Sequence, residues 1–130
     1  MSQLVSILIP AYNAEKWLGD TIRSALSQTW SNKEIIIVND GSTDNTLGIA
    51  KTFEGRNVKV ITQRNTGACG ARNKALSLAQ GDYIQWLDSD DLLDPNKLTH
   101  QLKGGGDGQS SRILLTCTWG KFFFVLRRQG

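Results

Sequence analysis

Residues 82–91, Asp-Tyr-Ile-Gln-Trp-Leu-Asp-Ser-Asp-Asp, constrain the fold of this chain more than any other stretch. Tyr83, Ile84, Trp86 and Leu87 are strand formers with few polar interruptions, the pattern of a strand covered on both faces. Directly after Leu87 come three acids in four positions, Asp88, Asp90 and Asp91. Such charge is costly to bury unless a cation or hydrogen-bond donors neutralise it. A covered strand that ends in carboxylates needs a packing layer on each side and a partner for its acidic end.

The rest of the chain supplies those layers. Residues 4–9 (LVSILI) read as a strand stopped by Pro10, which cannot donate to a sheet ladder. Trp17, Leu18, Ile22, Ala25, Leu26 and Trp30 recur at helical spacing and predict an amphipathic helix over 14–28; Trp17, Trp30 and the strand's Trp86 read most simply as core residues, with sugar stacking as the alternative. Residues 34–38 (EIIIV) are the most β-branched strand, ended sharply by Asn39-Asp40-Gly41-Ser42. Ser42 or Thr43 is expected to cap a second helix that stops near Gly55, with Asp44 at its positive end. Residues 58–61 read as a strand, 63–67 as a polar connection, and 67–79 as a helix whose first residues, Gly67, Ala68 and Gly70, permit close approach. Asp94-Pro95 reads as an N-cap and first helical position, followed by Leu98 and Leu102 on the apolar side. His100 on that helix has no partner nearby in sequence and receives no role. Residues 103–111 (KGGGDGQSS) read as a flexible loop, and 113–119 and 121–126 as two further strands.

This alternation implies parallel strands, right-handed crossovers and helices on both faces, a Rossmann-like α/β sheet whose ligand sits outside the carboxyl ends of the strands. Three polar loops meet there: Pro10-Ala11-Tyr12-Asn13, Asn39-Asp40-Gly41-Ser42, and Asp88-Ser89-Asp90-Asp91. The first lacks Gly-x-Gly-x-x-Gly, which argues against a dinucleotide. Asp40 stands where an acid commonly accepts hydrogen bonds from a nucleotide's ribose or base; the alternative is that it only shapes the turn with Gly41 or caps the next helix. If strand geometry persists through Ser89, Asp88 and Asp90 point to one side. Such an oxygen-only pair suits Mg²⁺ or Mn²⁺ completed by a diphosphate, against the plainer reading of an acidic turn leading into Asp94. Arg72, near the positive end of its helix, is a better phosphate contact than Arg64 or Lys74, with a solvated face as the alternative.

At 130 residues the chain is one domain's worth. Its 15 basic and 12 acidic residues are scattered rather than striped, so nucleic acid is not implied. Cys69 and Cys117 lack metal-ligand spacing and read as reduced thiols of a cytosolic protein. No basic-then-apolar signal segment is expected, and no apolar run approaches the roughly 18 residues of a membrane span.

Residues 5–13 (VSILIPAYN), 34–44 (EIIIVNDGSTD), Gly67 with Ala71-Arg72-Asn73, and Leu87-Asp88-Ser89-Asp90-Asp91 together resemble the family 2 glycosyltransferases of the GT-A fold, over residues 4–102. The resemblance implies a nucleotide-sugar donor, usually a UDP-sugar, a divalent cation (Mn²⁺ or Mg²⁺), and transfer with inversion to an acceptor hydroxyl on a saccharide, lipid or protein. It implies that Pro10, Ala11 and Tyr12 frame the nucleoside, Glu15 borders the same pocket, and Asp40 binds the base. Asp88 then approaches ribose or sugar and Asp90 holds the metal, with Ser89 between them and Arg72 nearby. Residues 1–102 form the expected donor-binding core, and 103–130 a loop and the start of an acceptor-side region. No segment matches the family's general base, which is expected beyond residue 130 of a longer, cytoplasmic or membrane-peripheral protein. The alternatives are a nucleotide-binding module or fragment without catalysis, and a nucleotidyltransferase, whose glycine- and basic-rich phosphate loop is missing after the first strand.

Overall fold

The computed structural model describes residues 3–104, 114–118 and 121–127, with the backbone alone from residue 103 onward. Ten elements follow in order: β1 (Val5–Ala11), α1 (Leu18–Leu26), β2 (Lys33–Asp40), α2 (Thr46–Thr52), β3 (Val58–Gln63), α3 (Gly67–Leu78), β4 (Tyr83–Trp86), α4 (Lys97–Gly104), β5 (Leu114–Thr118) and β6 (Lys121–Arg127). They build one sheet of order β3-β2-β1-β4-β6-β5. The β1–β2, β2–β3 and β1–β4 pairs are parallel, and β6 runs antiparallel to β4 and β5.

The period-two alternation of a covered strand divides the core into two layers. Val5, Ile7, Ile9, Ile35 and Ile37 face one side, where Leu18, Ile22 and Ala25 of α1, Ala50 of α2 and Leu98 of α4 cover them. Leu8, Ile36, Val38 and Ile84 face the other, against Ala71 and Ala75 of α3. Connections through α1 and α2 therefore lie on one face and the connection through α3 on the other. The chain reverses direction across the sheet between β1 and β4, the place where loops diverge and leave a crevice.

Several boundaries differ from the sequence expectations for identifiable reasons. β1 continues through Pro10 to Ala11. Leu87 N–H donates to the Leu8 carbonyl, so Leu8, and Pro10 two residues on, turn their peptide groups towards β4, which has already ended at Trp86. The donor that proline lacks is missing where no partner stands. α1 begins four residues later than expected, because residues 14–17 form a turn in which both Trp17 and Leu18 N–H reach the Ala14 carbonyl. β2 carries Asn39 and Asp40 as its last residues, which puts that acid on the strand rather than in a turn.

Neither Ser42 nor Thr43 caps α2. Asp44 accepts from Thr46 N–H at 2.9 Å, while Ser42 Oγ and the Thr43 amide bond to Asn13. Asp94 does accept from Asn96 N–H, as an N-cap before Pro95 would. Lys103 and Gly104 belong to α4 rather than to a loop, and the remainder of the expected loop over 105–111 lies outside the described residues.

Candidate nucleotide-sugar site

The carboxyl ends of β1, β2 and β4 and the start of α3 enclose a cleft of about 470 Å³. Pro10, Ala11, Tyr12, Asp40, Arg72, Asp88, Ser89 and Asp90 all line it, together with Asn13, Trp17, Asn65, Gly67 and Ala68. A second cavity of about 540 Å³ shares Pro10, Arg72 and Asp88 with the first and continues past Cys69, Asn73, Leu76 and Trp86. Arg72 and Asp88 thus stand at the junction of two chambers. Arg64 and Lys74 line neither.

Asp40 is only 2% exposed and its carboxylate is densely bonded. Oδ1 accepts from Gln63 Nε2 (2.9 Å), Thr66 N–H (2.9 Å) and Thr66 Oγ1 (3.3 Å), and Oδ2 accepts from Gly67 N–H (3.0 Å). Burial pushes its carboxyl up, but these four bonds outweigh burial and hold it below the usual carboxylate range. The acid at the end of β2 therefore fixes the first amides of α3, the helix after the next strand. Oδ2, with one protein donor, retains capacity towards the cleft.

Two glycines permit this. Gly41 has φ +70, and a Cβ there would lie 2.7 Å from Asn65 N, so the backbones of the two loops touch. Gly67 opens α3 at φ +88 and presents its amide to Asp40.

The acidic end of β4 is a turn rather than an extension of the strand. Asp91 N–H closes onto the Asp88 carbonyl at 3.0 Å, so the carboxylates converge through the turn and not through period-two alternation. Asp91 joins the pair: Asp88, Asp90 and Asp91 each offer an oxygen within 4.8 Å of the others. An all-oxygen set at this spacing fits a hard divalent cation. Asp88 and Asp90 are exposed and Asp91 is buried.

Glu15 stands outside the cleft, contrary to the expectation that it borders the pocket. Its carboxylate accepts from Asn45 N–H at 3.0 Å, and its own amide donates to Asp44 at 3.3 Å. The turn that delays α1 carries Glu15 over the start of α2, where an acid satisfies helix amides. Asp44 in the same clasp is held below the usual range: some burial raises it, but bonds from Thr46 and the Glu15 amide lower it further.

Trp17 also overturns an expectation. It is 51% exposed on the cleft wall, not core, while Trp30 and Trp86 are partly buried against the core clusters. Its spacing continues the apolar stripe of α1, but it sits at the helix's N-cap, between the buried Ala14 and Leu18, and turns to the cleft. Tyr12 is similarly exposed at 52%. Asn65 passed as part of a polar connection; its place after β3, at the carboxyl edge of a parallel sheet, is the signal that locates it.

A mainly parallel sheet with a reversal between β1 and β4, an acid at the end of β2 and an acidic turn at the end of β4 define an α/β protein of the GT-A type. The model of Glycosyl transferase family 2 matches residues 6–109, and the chain belongs to that family. It is 45% identical over 101 residues to a protein of Rickettsia typhi named an uncharacterized glycosyltransferase, covering 78% of this chain and 31% of that protein. It is 46% identical over 102 residues to the chondroitin synthase of Pasteurella multocida, covering 77% and 11%. The crystal structure of Staphylococcus aureus TarS 1–349 in complex with UDP-GlcNAc superposes with a TM-score of 0.72 at 32% identity, over 76% of this chain and 30% of that one. The chain spans about a third or less of the length of these relatives. No helix among the described residues is long and apolar enough to cross a membrane.

Proposed function

We propose that this segment is the donor-binding part of an inverting glycosyltransferase that takes a nucleotide-activated sugar, with a UDP-sugar as the preferred donor, and a divalent cation, Mn²⁺ or Mg²⁺. The observation that carries the reading is the meeting of Asp40, Arg72 and the acidic turn in one cleft of a family 2 chain. TarS, at 32% identity, binds UDP-GlcNAc, and that supports a uridine nucleotide here.

In this reading Tyr12 offers an exposed ring for the base to stack on, between Pro10 and Ala11 on one side and Asp40 Oδ2 as an acceptor on the other. Arg72 offers a guanidinium to the phosphates, and Asp88 and Asp90 hold the cation. When bound, the cation neutralises the charge that grows on the departing diphosphate. The second chamber beyond Arg72 and Asp88 receives the glycosyl unit. Residues 1–102 are the donor core, and no residue of the cleft is assigned as the base that deprotonates the acceptor hydroxyl. The acceptor is a saccharide, lipid or protein hydroxyl.

A thermal-shift panel of UDP, GDP, CDP and TDP, with and without Mn²⁺, tests the reading. UDP with Mn²⁺ at a hundred times its dissociation constant stabilises the chain by about 2.7 kcal/mol. Asp90→Ala removes the Mn²⁺-dependent part. Equal shifts with and without Mn²⁺, or an unchanged response in Asp90→Ala, count against the assignment.

A further inference from the structure

Residues 88–94 carry the acidic turn and form neither helix nor strand. Three like charges within 4.8 Å of one another push such a segment apart when no cation is present. What holds it is one face of α1. Thr21, fully buried, donates from Oγ1 to the Ser89 carbonyl at 2.9 Å, between the two exposed acids. Ser24 Oγ donates to the Thr21 carbonyl (2.7 Å) and accepts Leu93 N–H (3.1 Å). Gln28, 4% exposed, donates from Nε2 to the Asp94 carbonyl (2.6 Å) and accepts Leu98 N–H at Oε1 (3.2 Å).

Positions 21 and 24 lie on one stripe of α1, beside the apolar stripe of Leu18, Ile22 and Ala25, and Gln28 follows two residues past the helix end. Together they meet the acidic segment at its middle, its end and the start of α4. Beside the turn bond from Asp91 N–H to Asp88 and the bond from Lys97 N–H to the Asp94 carbonyl, these three side chains reach the backbone of 88–94 from across the core. Cation ligands must be held within fractions of an ångström before the ion arrives, and hydrogen bonds behind the ligands do this.

We propose that Thr21 and Ser24 are positioning residues for the cation site: they hold the Asp88–Asp91 turn in its coordinating shape against the repulsion of its own carboxylates. This rests on the reading that the cleft takes a nucleotide with a divalent cation. Neither side chain touches the ligand. Their loss weakens cation binding and leaves the cation-independent part of nucleotide binding in place.

Thr21→Val keeps the shape and removes the donor; Thr21→Ser restores it. Mn²⁺ affinity is read by electron paramagnetic resonance of free against bound ion in the presence of UDP. UDP affinity in EDTA is read by calorimetry on the same 130-residue chain. The expected result is a roughly tenfold loss of Mn²⁺ affinity in Thr21→Val, recovery to within about twofold in Thr21→Ser, and less than a twofold change in UDP affinity in EDTA. Ser24→Ala reproduces the pattern if Thr21→Val does not fold. Unchanged Mn²⁺ affinity in a folded variant overturns the proposal, as does an equal loss of both affinities. A wild-type chain that binds no nucleotide in either condition instead overturns the donor-site reading, and the positioning role with it.

Discussion

Asp40 joins fold and site in a single side chain. The resemblance implies a base-binding acid and the bare sequence leaves open a turn former or a helix cap; the structure gives it a cap's bonds, to α3, from a position facing the cleft. That destination was not legible, because the helix it serves begins 27 residues downstream and no local pattern connects them. Asp40→Ala leaves the Thr66 and Gly67 amides without their acceptor and is expected to cost about 2 kcal/mol, measured by urea denaturation. The sign of its pH dependence follows from the depressed carboxyl. The stabilisation is complete above the unfolded carboxyl value of about 3.9 and fades as pH falls through the lower folded value. The stability gap between wild type and Asp40→Asn therefore narrows below about pH 4 and is flat between about pH 5 and 7. A gap that stays constant down to pH 2 rules the bonded carboxylate out as its source. Gly41→Ala forces a side chain into left-handed backbone against Asn65 and is expected to lose more than about 1 kcal/mol by the same measurement.

At the scale of elements, strands were legible and helix surfaces only half so. β1 and β2 are apolar on both faces because helices cover both, so composition alone announced them. Helix α1 hides a polar stripe beside its apolar one. Thr21, Ser24 and Gln28 look like solvent-facing residues to any hydrophobic pattern, yet Thr21 and Gln28 are buried and bonded to backbone across the core. Trp17 errs the other way, apolar and exposed. Side chains that satisfy another segment's amides carry no periodic signal, and the clasp between the loops after β1 and β2 is built of such bonds. Glu15 is a test of that clasp against its implied place in the pocket. Glu15→Ala is expected to destabilise by about 1 kcal/mol, through loss of the acceptor for Asn45 N–H, with UDP affinity unchanged. A weakened UDP affinity at full stability would return Glu15 to the ligand.

Across the whole molecule, rigidity is arranged so that the cleft lies where the stiffest strands end. β1 and β2 are the inner strands of the parallel part, paired along their length in continuous register from Val5↔Lys33 to Ala11↔Asn39, with buried side chains above and below. β3 stands at the edge, and most of its residues after Val58 are only partly covered. The residues that line the cleft from Pro10 to Tyr12, and Asp40, are the last of the two central strands or directly follow them. Opening them requires unzipping the core, whereas the turn at Asp88–Asp91 hangs from β4, a strand of four residues, and depends on α1 for its shape. Hydrogen exchange should reproduce this order: amides of Ile7–Ile9 and Ile35–Val38 slowest, β3 and α2 faster, and the acidic turn fastest of the three cleft walls. Mn²⁺ with UDP should slow the acidic turn most, because it is the wall with order left to gain, and leave β1 and β2 unchanged. Equal protection of all three walls without ligand would mean that the turn, with the hydrogen bonds of α1 in place, is as stiff as the ends of β1 and β2, against the expected order.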